Sequence, residues 1–407
     1  MVPVTLNLLT VAAGAFLGVM WLVVLGRIVR SRKQVPSLRD AIEWADEEPI
    51  TQRIVAIVPA HNEQDSIGGV LASLRSQRDL DVGVVLALDR CTDGTRDRAE
   101  QIMVGHKRFE VMSIEDCPDG WAGKVHCLWK AVTESRLAGR ADLLLFLDAD
   151  VEFAPDAIRA AAALLRSRKL ALLTLLPTLR HRHWFERVVQ PACVMELMYQ
   201  FPPDRVNRAP GAKGGRRPFV NGQFIMVRRE DYERLGGHMA LRDDIMEDFA
   251  LARLVDRAGL AAGAFPAGDM LRVNMHETWA SFASGWKRIF MAGAGRKVRR
   301  LRRWTLRVGL ACAALPVVVA AGVVAAALVG APAWSTWTAI PVGAFGLVSW
   351  VVAIGALYRS QRAPWWSVAL NPVGYGVAAW IMGRAARAVA SREPVAWGGR
   401  EYVFEAR

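Results

Sequence analysis

The chain has 407 residues, enough for two or three modules, and 53% of them are hydrophobic, a high fraction for a soluble protein and one spread unevenly. Lys+Arg 52 against Asp+Glu 39 gives a net charge of +13, which invites a nucleic-acid partner. Much of that excess stands beside apolar segments, with Arg27, Arg30, Arg32 and Lys33 after the first and Arg296 to Arg307 before the second. That placement suits a cytoplasmic membrane face and argues against nucleic acid. The 5 cysteines show no C-x-x-C or other ligand spacing, so they read as reduced structural thiols in a cytosolic domain.

Residues 1–26 carry no charged side chain, and 6–29 is long enough to cross a bilayer. A signal peptide needs a basic start and a small-residue cleavage site. Here the basic cluster follows the apolar run, which marks 1–30 as an uncleaved anchor with its C-terminal side in the cytoplasm. Residues 31–51 are polar and read as a linker with room for one short helix.

An α/β pattern begins at Arg53. Residues 54–58 form an apolar strand stopped by Pro59, His61, Asn62 and Glu63 lie on the loop beyond it, and 66–77 is amphipathic at helical spacing. A second strand, 82–88, ends at Asp89; a polar turn, 90–95, then opens a helix to about residue 104. A third strand fits 109–114, and Gly120 to Lys124 starts another helix. The alternation predicts a doubly wound parallel sheet with its site at the strand ends. No G-x-G-x-x-G follows the first strand, which counts against a dinucleotide cofactor.

The run Leu143 to Leu147 stops at Asp148-Ala149-Asp150. It suits a strand buried on both faces, whose carboxyl end carries the two aspartates. Two hard oxygen ligands with no His or Cys nearby suit a divalent cation that also holds phosphate oxygens. The same residues also suit a polar turn capping a strand.

In 177–201, Trp184, Phe185, Val188 and Val189 share a helical face near Arg180, Arg182 and Arg187, a pattern that fits a membrane-interface helix and a buried core helix equally. His181 and His183 have no partner at metal spacing and read as surface residues, and 205–217 reads as a mobile, solvated basic loop. Residues 220–224 lead into a strand. The acidic stretch 243–248 opens a helix on which Asp244, Glu247 and Asp248 share a face. After the arginine cluster, 308–358 has no charged residue and divides into spans at about 310–330 and 338–358. A third run, 365–382, is broken by Asn371-Pro372, Gly374 and Gly376, and reads as a re-entrant or interfacial segment that returns the tail to the cytoplasm. The modules are therefore 52–295, a cytoplasmic domain; 296–385, a basic juxtamembrane and membrane region; and 386–407, a tail.

Five motifs in order, VPAHNE (58–63), LDRCTDGT (88–95), GK (123–124), LDAD (147–150) and MED (246–248), resemble those of the family 2 nucleotide-sugar glycosyltransferases, over roughly residues 53–295. NGQF, GGH and EDFALA further resemble the lipid-directed membrane branch, which includes hopanoid-associated, carotenoid and ceramide glycosyltransferases. The resemblance implies a GT-A, Rossmann-like α/β domain with one N-terminal and two to three C-terminal transmembrane helices, in a multi-pass protein of the inner membrane. It implies a UDP-sugar donor held by Pro59, Asn62, Glu63, Asp89, Lys124 and Asp148. Mg²⁺ or Mn²⁺ would sit on Asp150 and Asp148, and Asp248 would be the general base toward a membrane lipid. Glu247, Asn221, Gln223, Trp286 and Arg288 fall on the acceptor side. Turn and N-cap chemistry competes for Asp93 and Thr95. The Q-x-x-R-W acceptor motif of processive synthases and ceramide glucosyltransferases is replaced by Gly285-Trp286-Lys287-Arg288-Ile289, which argues against a polymer maker and loosens the ceramide assignment. The close Trp397-Gly398-Gly399-Arg400-Glu401-Tyr402 resembles the W-x-G-R-x-Y end of the lipid-glycosylating group and is expected near the site. Two alternatives stand beside this: a polyprenyl-phosphate glycosyltransferase, and a non-catalytic membrane protein that binds nucleic acid or anionic lipid through its basic face.

Overall fold

The structure is a computed structural model that describes residues 2–213, 215–397 and 400–403. A long apolar helix, α1 (Val2–Gln34), leads through α2 (Ala41–Glu47) into the α/β domain. There β1 (Ile54–Ala60), α3 (Ile67–Arg75), β2 (Gly83–Asp89), α4 (Thr95–Ile102), β3 (Phe109–Ile114), α5 (Gly123–Glu134) and β4 (Leu143–Leu147) alternate as the apolar periodicity predicts. The chain continues through β5 (Val151–Phe153), α6 (Ala157–Ser167), β6 (Leu172–Leu179), α7 (Trp184–Val188), α8 (Gln190–Gln200) and α9 (Pro203–Val206). Then come β7 (Phe224–Arg228), α10 (Arg229–Arg234), α11 (Glu247–Arg257) and β8 (Ala262–Val273).

The eight strands form one sheet in the order β3-β2-β1-β4-β7-β6-β8-β5. Strands β3, β2, β1 and β4 are parallel. The expected all-parallel sheet fails beyond β4, because β7 runs antiparallel to both β4 and β6, and β5 antiparallel to β8. Buried strands are apolar whichever way they run, so composition carries no direction. Helices α2, α3, α4 and α6 pack on one face of the sheet, and α5, α10 and α11 on the other.

The sheet must curl to close. β4 and β5 are four strand spacings apart in the sheet, about 19 Å if it were flat. Yet only Asp148-Ala149-Asp150 separates them, and four residue steps reach at most about 14 Å. Register shifts between β6 and β8 at Leu176/Pro177 and Pro177/Thr178 supply the bend, with Gly268 at φ +57 on the bulged strand. The curl brings the far edge of the sheet over the carboxyl end of β4, where the two aspartates turn.

Beyond the sheet come α12 (Trp279–Gly293), α13 (Val298–Arg307), a π-helical stretch Val308–Ala314, α14 (Leu315–Leu328) and α15 (Ala333–Gln361). Among the described residues, three helices are long and apolar enough to cross a membrane, Val2–Gln34, Val298–Leu328 and Ala333–Gln361, which makes this a membrane-associated protein. Glycines let two of them touch by backbone: a Cβ at Gly14 would lie 2.8 Å from the Gly343 Cα, and one at Gly346 2.5 Å from the Gly14 carbonyl oxygen.

The third apolar run is a short 3₁₀ turn, Trp365–Val368, followed by α16 (Asn371–Ser391). Pro372 does not break it. It falls in the first helical turn, where a missing N–H costs nothing, and the helix runs on through Gly374 and Gly376. α16 packs on α13, the π-helical stretch, α12 and α8, and a Cβ at Gly374 would meet the Val188 carbonyl oxygen at 2.3 Å. The chain ends in a hairpin of β9 (Pro394–Trp397) and β10 (Arg400–Val403); Gly398 and Gly399 lie outside the described residues.

Three local expectations change. Asp244 precedes α11 and pairs with Arg296 at 2.7 Å and Arg253 at 3.3 Å, so it braces the fold and shares no helical face with Glu247. Arg216 is no solvated loop residue: its guanidinium donates to the Leu260 and Ala262 carbonyls, both at 2.8 Å. His181 is half-buried, bridging the Glu186 and Gln361 carbonyls at 2.8 and 3.0 Å.

Candidate active site

A cavity of ≈ 1120 Å³ opens at the carboxyl ends of β1, β2 and β4. Pro59, Asn62, Glu63, Asp89, Lys124, Asp148 and Asp150 all line it. Strand ends and, for Lys124, the first turn of α5 place them there, and short turns lock the loops. Asn62 adopts φ 56, a left-handed backbone that asparagine tolerates, and its side-chain oxygen accepts from the Thr92 N–H at 2.8 Å. The Glu63 N–H donates to the Thr95 hydroxyl at 2.8 Å, and the Thr95 N–H to Asp93 at 3.1 Å. The turn chemistry proposed for Asp93 and Thr95 is therefore what these residues do, knitting the first two strand-end loops together.

Lys124 joins two acidic pairs. Its ammonium lies 2.7 Å from Asp148 and 2.5 Å from Glu247. Burial alone would push it down, but the two carboxylates outweigh burial and hold it protonated, well above an ordinary lysine. The lysine thus meets both the strand-end loop and the start of α11.

The other member of each pair has no such partner. Asp150 is pushed up to about 8, by burial first and then by the Asp148 and Glu63 charges, and its Oδ1 is buried with no hydrogen-bond partner among the described residues. Glu63 is also raised, by burial, against a hydrogen bond from the Ser66 hydroxyl, with Asp148 adding to the rise. Three carboxyl groups thus crowd one wall against a single lysine. Among the described residues no three His, Cys, Asp or Glu side chains are placed to hold a metal alone. The donor set still fits a hard divalent cation, which commonly takes one or two carboxylates and fills its shell with substrate phosphate and water.

Asp248 is held differently. Its Oδ2 accepts from the Gly222 N–H at 3.2 Å and its Oδ1 from the Phe249 N–H at 2.7 Å. Burial first, then the adjacent Glu247 charge, push it up to about 7, a value matched to proton transfer near neutrality. It is half-buried and stands outside the cavity's own lining.

Other expected residues are engaged in structure. Both oxygens of Asp89 accept from Arg90 at 2.8 Å. Asn221 donates to the Leu175 carbonyl and to Gln223, each at 3.1 Å. Trp286 is 2% exposed and packs with Phe282 and Phe290 in an apolar cluster, while Arg288 donates to Ser284 at 3.2 Å; neither lines the cavity. Conversely, Asn274, Met275 and Glu277 after β8, and Arg182 before α7, do line it. Sequence reading missed the three residues after β8 because Pro266 and Gly268 disguise that strand as a loop, and it placed Arg182 beside a helical face without assigning it to the site.

The family model described as "Glycosyltransferase like family 2" matches residues 52–288. A 4,4'-diaponeurosporenoate glycosyltransferase of Staphylococcus aureus strain MRSA252 is 25% identical over 248 residues, covering 60% of this chain and 62% of that relative. The same enzyme from strain USA300 gives the same values. The chain thus spans 62% of the length of these curated relatives. Among solved structures, mannosyltransferase PcManGT from Pyrobaculum calidifontis, in complex with GDP-Man and Mn2+, is 18% identical with a TM-score of 0.45 and covers 93% of this chain and 98% of that one. Glucosyl-3-phosphoglycerate synthase from Mycobacterium tuberculosis, with Mn2+, UDP-Glc and phosphoglyceric acid, is 18% identical with a TM-score of 0.39 and covers 64% and 84%.

Proposed function

The chain belongs to glycosyltransferase like family 2, is an enzyme of α/β GT-A fold, and from that premise we propose that it is an inverting transferase moving one sugar from a UDP-sugar to a membrane lipid. The observation that carries this reading is the pairing of an uncompensated carboxylate, Asp150, with a separately held carboxylate, Asp248, across one lysine. The acceptor class rests on the three membrane helices and on relatives named for a carotenoid acid. Hopanoid, carotenoid and sphingolipid acceptors are the candidates. Membership of this enzyme family sets aside the non-catalytic alternative.

In the proposed mechanism Asp150 and Asp148 would hold Mg²⁺ or Mn²⁺. When bound, that ion supplies positive charge for the donor diphosphate and the departing UDP. Glu63 and Asp89 border the nucleoside end of the cavity. Asp248 takes the proton from the lipid hydroxyl as its oxygen attacks the anomeric carbon; a carboxylate acceptor arrives without one. Lys124 pairs with both Asp148 and Glu247 and so fixes the spacing between donor and base. One base and no enzyme nucleophile invert the anomeric centre.

We place the catalytic unit, 52–295, in the cytoplasm, because arginines flank the membrane helices on its side. Tyr402 reaches back to Gly123, which supports a tail on that same side and a third apolar run that does not cross. A single cysteine at Ala406, which lies outside the described residues, in a variant lacking the native cysteines tests this. An impermeant maleimide should label it only in opened cells, and labelling of intact cells would put the tail outside.

Incubating membranes with a panel of labelled UDP-sugars and analysing extracted lipids tests the activity. Label that enters a neutral lipid hydroxyl should disappear in Asp248→Asn, whereas label that enters a carboxylic lipid, which arrives without a proton, should survive it. Label in a polyprenyl-phosphate fraction that survives Asp248→Asn would favour that acceptor instead, since it is already anionic.

A further inference from the structure

After α16 ends at Ser391, Glu393 lies 3.9 Å from Lys287 of α12, and the hairpin then returns to the catalytic domain. β10 carries Tyr402, paired in register with Val395. Its phenol oxygen accepts a hydrogen bond from the Gly123 N–H at 3.1 Å, across 279 residues of sequence. Tyr402 lines the same cavity as Asp89 and Lys124.

Four groups converge at this end. A Cβ on Gly123 would lie 3.1 Å from the Arg90 guanidinium, 3.3 Å from the Asp89 carboxylate and 3.7 Å from the Tyr402 hydroxyl. A side chain at Gly123 would crowd the Arg90 and Asp89 groups and touch the Tyr402 hydroxyl. Ala122, which precedes α5, has no side chain able to cap the helix, so Tyr402 serves that end from a distant part of the chain. Asp89 has both oxygens committed to Arg90. A phenol is one donor and an acceptor with two lone pairs. Tyr402 uses one lone pair on Gly123, and among the described residues no acceptor takes its proton.

We propose that Tyr402 is a donor-binding residue: the C-terminal hairpin is a strap across the nucleotide end of the cavity, and the Tyr402 hydroxyl, anchored on the Gly123 N–H, donates to the bound nucleotide. The proposal rests on the reading of this cavity as the nucleotide-sugar site. It gives the tail a role in donor affinity although the tail lies outside the family-matched segment, residues 52–288. Because α16 packs on α13 and α12, the strap also ties the donor site to the membrane helices.

The test is calorimetric titration of UDP, in Mg²⁺, into the full chain in lipid nanodiscs. Tyr402→Phe keeps the ring and loses only the hydroxyl. It should weaken UDP about tenfold, the loss expected for a hydrogen bond to a polar or charged ligand group. Its melting temperature without nucleotide should match the wild type, and Tyr402→Ala should weaken UDP further. Unchanged affinity in both variants would overturn the proposal and reduce Tyr402 to a helix cap. Tighter binding would also overturn it, by making the strap a plug. A wild-type chain that binds neither UDP nor GDP would instead overturn the nucleotide-site reading, and this proposal with it.

Discussion

Two acidic pairs face each other across Lys124, and they differ in how their second carboxylate is satisfied. In Asp148/Asp150 and in Glu247/Asp248, one member takes the lysine, at 2.7 and 2.5 Å, and the other is driven up, to about 8 and about 7. Asp248 nevertheless has a backbone N–H on each oxygen. Asp150 keeps a buried oxygen with no partner among the described residues and faces Glu63 as well. A satisfied carboxylate with a near-neutral pKa is equipped to take a proton. An unsatisfied one in a crowd of like charge is equipped to take a cation. Residue type alone separates nothing here; the second hydrogen-bond partner does.

The largest effect should come from breaking the cation side. Asp150→Asn preserves shape and removes the anion, so turnover should fall about a thousandfold, in keeping with the several kcal/mol a metal supplies to a charged leaving group. EDTA should stop the wild type, and a wild-type enzyme indifferent to EDTA and to added Mg²⁺ or Mn²⁺ would remove the assigned role.

Next is the base. Asp248→Asn should lower transfer to a neutral lipid hydroxyl by about 10²–10⁴-fold, the usual contribution of a positioned general base. Rates under saturating donor would check this, and turnover near the wild type would move the base elsewhere.

Smaller, but sharper, is the pH response. The carboxylate form of Asp248 accepts the proton, so kcat should rise as pH climbs through about 7 and level off above it. Glu247 raises Asp248, and Lys124 lowers it. Glu247→Gln should therefore move the acid limb to lower pH, and Lys124→Gln should move it to higher pH. Shifts in the same direction for both variants would show that the limb belongs to another group.

Much of this site was legible in the sequence because its parts are strand ends. Five buried residues, Leu143 to Leu147, read as a strand without ambiguity, and the polar residues that halt such a run fall at the sheet edge where ligands bind. The far half was not legible. β5 is three residues long, β8 hides Pro266 and Gly268 within twelve residues, and the direction of β7 leaves no trace in an apolar string. Pairwise commitments were hidden too. Asp89 engages its own neighbour Arg90, and Trp286 faces a core, because neither partner choice has a local sequence signal. Pro372 misled in the opposite sense: a proline interrupts a helix only away from its first turn.

The division of labour between the two pairs is tested most directly by UDP titration with and without Mn²⁺. Three proteins are compared in the same nanodiscs: wild type, Asp150→Asn and Asp248→Asn. Wild type should bind UDP tightly only with Mn²⁺, Asp150→Asn should lose the Mn²⁺-dependent gain, and Asp248→Asn should keep it in full. Loss of that gain in Asp248→Asn with retention in Asp150→Asn would reverse the two roles and contradict the account.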